Sequence, residues 1–194
     1  MKEKINLDGL KILIFIFIII WGYFFLEMIF PQLKYLFGIE PRNFKIINFI
    51  SLFLSWISHE NFSHLINNSI VLFSMLTFIC LFEKNVLKII SGMIIITGIY
   101  VWLFGASNSI HIGASGLAYS CFGFMIVSLF VFKKWLYSII VIFYSLIYGF
   151  SYFLSFTDGL IPKDGISFSG HLGGFIAGII ISILNNKSFD KNNK

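Results

Sequence analysis

The chain has 194 residues, of which 58% are hydrophobic and 12% charged, with a net charge of +5. Its mean hydropathy is +0.90. A water-soluble domain would carry roughly 25% charged residues, so that class is excluded and the outer surface must face lipid. The length suits one compact domain, and no internal repeat appears.

Residues 1–9 read as a cytoplasmic N-terminal segment. Six apolar spans follow, each near the length of about 20 residues that crosses a bilayer: Leu10–Phe30, His64–Phe82, Val86–Phe104, Ala114–Phe132, Trp135–Phe156 and the short, Gly-rich Phe168–Leu184. The first is not read as a cleaved leader, because Glu27 and Met28 stand where small residues would be needed. Pro31–Asn61 is too long for a plain connector and carries Phe49, Ile50, Leu52, Phe53, Leu54 and Trp56. It is expected to fold as short helices lying partly in the outer leaflet. Cys80 and Cys121 fall inside spans and read as small packing residues rather than a disulfide or metal site. The six-helix domain is expected over residues 10–186, with residues 187–194 as a solvated cytoplasmic tail.

Basic residues set the orientation. With the N-terminus inside, only Lys34, Arg42, Lys45 and Lys163 fall on the outer side, and the other ten lie within. Both termini are therefore expected in the cytoplasm. The positive charge is accounted for by topology, with no nucleic-acid partner.

Spans two, four and six then all run from outside to inside. His64 and Asn68 lie near the start of span two, Ser115 near the start of span four and His171 near the start of span six. At 1.5 Å per residue all four sit roughly 5–10 Å below the outer face. Ionisable groups inside a membrane cost about 2.5–3.5 kcal/mol when charged and are rarely accidental.

Spacing sharpens the pattern. His64 and Asn68 are four apart and share a helix face, as do Ser115 and Tyr119. Gly170, Gly174 and Gly178 form a small-residue stripe that lets helix backbones approach closely, and Gly116 and Gly123 thin the facing span. That approach would bring His171 within about 2.6–3.2 Å of the Ser115 hydroxyl, the reach of a general base. Ser115 then reads as nucleophile and His171 as base. With no Asp or Glu expected in a span to orient the imidazole, the pair is a dyad, with Tyr119 placed to stack on the ring. The His64 ring, the Asn68 amide and the Ser115 N–H are candidate oxyanion donors.

These residues resemble the rhomboid family of intramembrane serine proteases. The resemblance rests on His59-x4-His64-x3-Asn68 in span two, Gly113-Ala114-Ser115-Gly116-x2-Tyr119 in span four and Gly170-His171-x2-Gly174 in span six. It covers about residues 40–185. It implies an all-α, six-transmembrane-helix bundle with a cavity opening outward, and single-span membrane proteins as substrates, cleaved without metal or cofactor. It also implies that Ser115 is the nucleophile, His171 the base, His64 and Asn68 oxyanion partners, Tyr119 the stacking ring and Gly113 a shaper of the turn. The family's usual Trp-Arg pair before span two is replaced here by Ile50-Ser51, which puts loop stability and substrate access in question.

Other readings are weaker. His59-Glu60-x3-His64 approaches a zinc-protease motif, but that motif needs its histidines four apart, and Ser63 stands where the second ligand belongs. His59 reads as structural support at the loop–helix junction, and His111 as incidental. A catalytically inactive rhomboid-like protein that escorts transmembrane clients would be marked by loss of the serine or histidine, and both are present. A transporter would show an inverted repeat or broken helices, and neither is evident. The bias toward Ile, Phe, Lys and Asn, with Arg42 as sole arginine, points to an AT-rich bacterial genome and a plasma-membrane location.

Overall fold

The computed structural model describes residues 6–135, 139 and 167–191, with the side chains of the last helix through Asn186. The helices are α1 (Leu7–Ile29), α2 (Ile46–Leu54), α3 (Phe62–Phe82), α4 (Val86–Phe104), α5 (Ser115–Phe130) and α6 (Phe168–Lys191), with 3-10 turns at Pro31–Leu33 and Ser55–Ile57. Among the described residues there is no strand. An antiparallel bridge joins Ile39 to His111. The predicted span Trp135–Phe156 lies outside the described residues except at its first residue and Ile139.

Among the described residues, four helices, α1, α3, α4 and α6, are long and apolar enough to cross a membrane. Two starts come earlier than hydropathy alone indicates, because asparagines cap them. Asn6 Oδ1 accepts the Gly9 N–H at 3.0 Å, and Asn61 Oδ1 accepts the His64 N–H at 2.8 Å, each satisfying an orphan first-turn amide. The span expected over Phe168–Leu184 lies within α6, whose helix continues to Lys191. Asn186 Nδ2 donates back to the Ser182 carbonyl at 2.8 Å, so polar residues extend the helix instead of ending it.

α5 is the central helix, with every residue buried except Ser115, Ile126 and Phe130. Its most extensive packing is against α6, and glycine makes that contact possible. A Cβ on Gly174 would stand 2.1 Å from the Gly116 carbonyl oxygen, and one on Gly178 would stand 1.9 Å from that of Ser120. On the same seam a Cβ on Gly123 would meet the Phe175 oxygen at 2.3 Å. Backbone lies on backbone over two turns. α1 lies against α3 and buries Leu13, Ile16, Ile20 and Phe24, one apolar stripe at helical spacing.

The end of the bundle away from α5's first turn is closed by polar contacts. Asn6 N–H donates to the Leu81 carbonyl at 2.8 Å. The buried Glu83 carboxylate accepts from Lys134 Nζ at 2.7 Å and Asn185 Nδ2 at 3.0 Å.

Before α3 the chain forms short helices, as expected. α2 turns its buried side, Asn48 and Ser51, toward the protein and leaves Ile46, Phe49, Ile50 and Phe53 exposed. It sits so tightly on α4 that a Cβ on Gly98 would come within 2.4 Å of the Leu52 carbonyl oxygen. Ser51, in the aligned place of the family's arginine, is buried and donates to the Ile47 carbonyl at 3.0 Å. Order in this loop comes from other residues. Asn48 accepts from Glu40 N–H and donates to the Glu40 and Asn43 carbonyls, all at 2.8 Å. Arg42 donates to the Leu103 carbonyl at 3.0 Å and also reaches Ser107. Trp102 Nε1 donates to the Asn43 carbonyl at 3.0 Å, and its ring meets Phe44 and Phe49.

Candidate active site

The N-terminal turns of α3, α5 and α6 open on one cavity of about 900 Å³, whose lining includes His64, Asn68, Ser115, Tyr119 and His171. The first two turns of α5, a helix of 16 residues, contribute Ser115, Ala118 and Tyr119 to the lining.

Gly113 sets the approach to Ser115. Its φ of 112° lies in a region that side chains rarely adopt. A Cβ there would also stand 2.8 Å from His64 Cε1, 3.0 Å from His64 Nε2 and 3.4 Å from Asn68 Nδ2. Both the turn and the close approach of α3 thus require glycine. The amides just before the serine are already engaged: Gly113 N–H donates to the Ser55 carbonyl at 3.0 Å, and Ala114 N–H donates to His59 Nε2 at 3.4 Å.

His59 is fully buried. Its Nδ1 lies 3.2 Å from the Ile57 carbonyl, so Nδ1 carries the hydrogen and Nε2 accepts from Ala114. Burial, aided by neighbouring His64, lowers its pKa to about 4, which keeps this neutral tautomer. Both ring nitrogens are occupied, and the ring stands edge-on to His64 at 5.2 Å between centroids. The role expected for His59, support at the loop–helix junction, matches this position.

Behind His59 lies a residue whose role the sequence did not reveal. No carboxylate was expected to act within a span, yet Glu27, near the end of α1, is only 6% exposed. Its carboxylate takes the Ser58 hydroxyl and accepts the His59 N–H at 3.4 Å. It braces the turn that carries His59 and stands apart from the cavity lining. A buried carboxylate needs such partners.

Tyr119 lies one turn below Ser115 and stacks on His171, with ring centroids 4.1 Å apart and planes at 16°. Asn68 Nδ2 is buried and, among the described residues, has no hydrogen-bond partner. Buried donors are nearly always satisfied, so an unpaired one on a residue that lines the cavity is a donor in want of an acceptor.

A family model, the Rhomboid domain, matches residues 47–187. The chain belongs to the rhomboid family. Members of this family are typically intramembrane serine proteases, and with four helices apolar enough to span the chain is an integral membrane protein. Three curated relatives, uncharacterised proteins of Mycobacterium bovis and of two strains of Mycobacterium tuberculosis, are each 33% identical to it over 135 residues. The match covers 65% of this chain and 55% of each relative.

The residues singled out in the sequence, Ser115, His171, His64, Asn68 and Tyr119, all line one cavity, and Gly113, Gly116, Gly170, Gly174 and Gly178 border it or the α5–α6 seam. His111 also lines the cavity and is hydrogen-bonded on both ring nitrogens. It is part of the site's framework rather than incidental. Its lone position in a short loop gave no periodic signal.

Proposed function

We propose that this rhomboid is an active serine endopeptidase that cleaves single-span membrane proteins in or near the outer-leaflet part of their transmembrane segment. The observation that carries this reading is the convergence of Ser115, Tyr119-stacked His171, His64 and the unpaired Asn68 amide on one cavity. His171 takes the Ser115 hydroxyl proton as Oγ attacks the substrate's peptide carbonyl. The resulting oxyanion is held by the Asn68 amide, the His64 ring and the Ser115 N–H, the last being an amide at a helix start with no intrahelical acceptor. Collapse expels the amine with the proton from His171. Water, activated by the same imidazole, then releases the acyl group from Ser115. No metal or cofactor is needed.

The proposed frame is a six-helix domain over residues 10–186 in a bacterial plasma membrane, with both termini cytoplasmic and the cavity opening outward. The basic-residue asymmetry supports that orientation. Retention of both Ser115 and His171 favours an enzyme over an inactive escort of transmembrane clients.

A fluorophosphonate probe tests the reading in detergent-purified protein supplied with a transmembrane substrate. Labelling and cleavage are expected in the wild type and lost in Ser115→Ala and His171→Ala, with membrane insertion unchanged. Labelling that survives Ser115→Ala would overturn the nucleophile assignment. A properly inserted wild type that neither labels nor cleaves would favour the escort.

A further inference from the structure

Three segments of chain meet at His111. Its backbone N–H and C=O pair with Ile39 at 2.9 Å each way, tying the α4–α5 loop to the segment before α2. Its ring lies between two hydroxyls, with Nε2 2.8 Å from Ser109 Oγ and Nδ1 2.6 Å from Ser167 Oγ.

Elimination places the hydrogens. Ser109 donates its one hydroxyl hydrogen to the Ala106 carbonyl at 2.7 Å, so it accepts from His111 Nε2–H. In a neutral imidazole Nδ1 is then the acceptor, and Ser167 Oγ–H donates to it. Ser167 Oγ accepts the Gly170 N–H at 3.1 Å, and the Ser167 carbonyl accepts the His171 N–H at 3.0 Å. Burial holds the His111 pKa below its ordinary value, which preserves the neutral form. The ring has little slack, since a Cβ on Gly105 would stand 2.9 Å from Nε2.

Ser167 is thus the residue that caps the first turn of α6 through Gly170, and His111 fixes the rotamer of that cap. Without His111, the Ser167 side chain could turn about its Cα–Cβ bond and release the amide it holds. We infer that His111 is a positioning residue for His171, holding through Ser167 the helix turn that presents the imidazole. This rests on the reading of His171 as the general base. Ser167 itself is not a rival nucleophile in this arrangement, because its oxygen is engaged as a helix cap.

The test uses the full chain in detergent or nanodiscs. His111→Phe keeps a ring of similar size and removes both ring hydrogen bonds. It should lower kcat for a transmembrane substrate by about tenfold with KM unchanged, within the roughly hundredfold that a 1 Å misplacement can cost. Fluorophosphonate labelling of Ser115 should slow by a similar factor. His111→Asn, whose Oδ1 can accept from Ser167, should recover most of the rate. Amide hydrogen exchange at Gly170 and His171 should quicken in the Phe variant and not in the Asn variant. Wild-type kcat in His111→Phe, equal impairment in both variants, or unchanged exchange would each overturn the inference. Failure of the protease reading shows separately, as labelling that persists in Ser115→Ala, and the exchange measurement still decides the helix tie.

Discussion

The Tyr119 ring lies nearly parallel to the His171 imidazole, 16° apart in plane and 4.1 Å between centroids. Aromatic contacts of this kind are worth about 0.5–1.5 kcal/mol beyond their buried area, which limits the ways the imidazole can tilt. Tyr119→Leu should therefore reduce kcat by about two- to tenfold. Tyr119→Phe keeps the stacked ring and should retain more activity than Tyr119→Leu. Initial rates on one substrate check the order.

Asn68→Ala removes an unpaired buried donor. Among the described residues that amide nitrogen gives up no hydrogen bond, so thermal unfolding should change little. If Asn68 meets the oxyanion, kcat should fall by roughly 10²-fold with KM nearly constant. A variant that loses stability while its rate holds would place Asn68 in packing instead.

The α5–α6 seam gives a graded series. Gly178→Ala and Gly174→Ala place a Cβ 1.9 and 2.1 Å from backbone oxygens, which no side-chain motion can relieve. Each should cost about 1–3 kcal/mol and depress cleavage by prising α5 from α6. Gly116→Ala meets the Thr97 methyl at 3.0 Å and should be milder. Gly22→Ala, with nothing within 4 Å, should be neutral. Thermal unfolding and cleavage measured together check the series.

Acid should weaken the fold through His59. Its folded pKa of about 4 lies below its ordinary 6.5, so between these values the unfolded chain binds a proton that the folded one refuses. The sign follows: stability is complete above about pH 6.5 and declines as pH falls toward 4, by on the order of 3 kcal/mol. Below pH 4 this group causes no further loss. His59→Gln, which cannot titrate, should flatten the slope between pH 7 and 4.5 in thermal unfolding.

Asn48→Ala removes three hydrogen bonds to loop backbone and leaves orphaned groups costing about 1–3 kcal/mol each where water cannot reach. Activity should fall at elevated temperature and return on cooling, as the loop before α3 reorders. Rates at two temperatures, set beside unfolding curves, check this.

The catalytic candidates were legible because each is fixed by local spacing. His64 with Asn68 and Ser115 with Tyr119 are one helical turn apart, and the Gly170, Gly174 and Gly178 stripe announces a close neighbour. The framework was not legible, because its contacts are remote in sequence. Glu27 meets Ser58 across 31 residues, and His111 meets Ser167 across 56. No periodicity links such pairs; only folding brings them together. The Ile50-Ser51 replacement raised a question that hydropathy could not answer. Asn48, Arg42 and Trp102 bear on the stability half of it by tying the loop to itself and to the end of α4.

Helix α2 is inside out by the standards of aqueous proteins, with amide and hydroxyl turned inward and phenylalanines outward. Hydrocarbon is the one solvent that suits its outer side, while its inner side is satisfied only by the rest of the chain. Folding of this segment is thereby made conditional on the surrounding medium. A preparation stripped of lipid should lose α2 first and the long helices later.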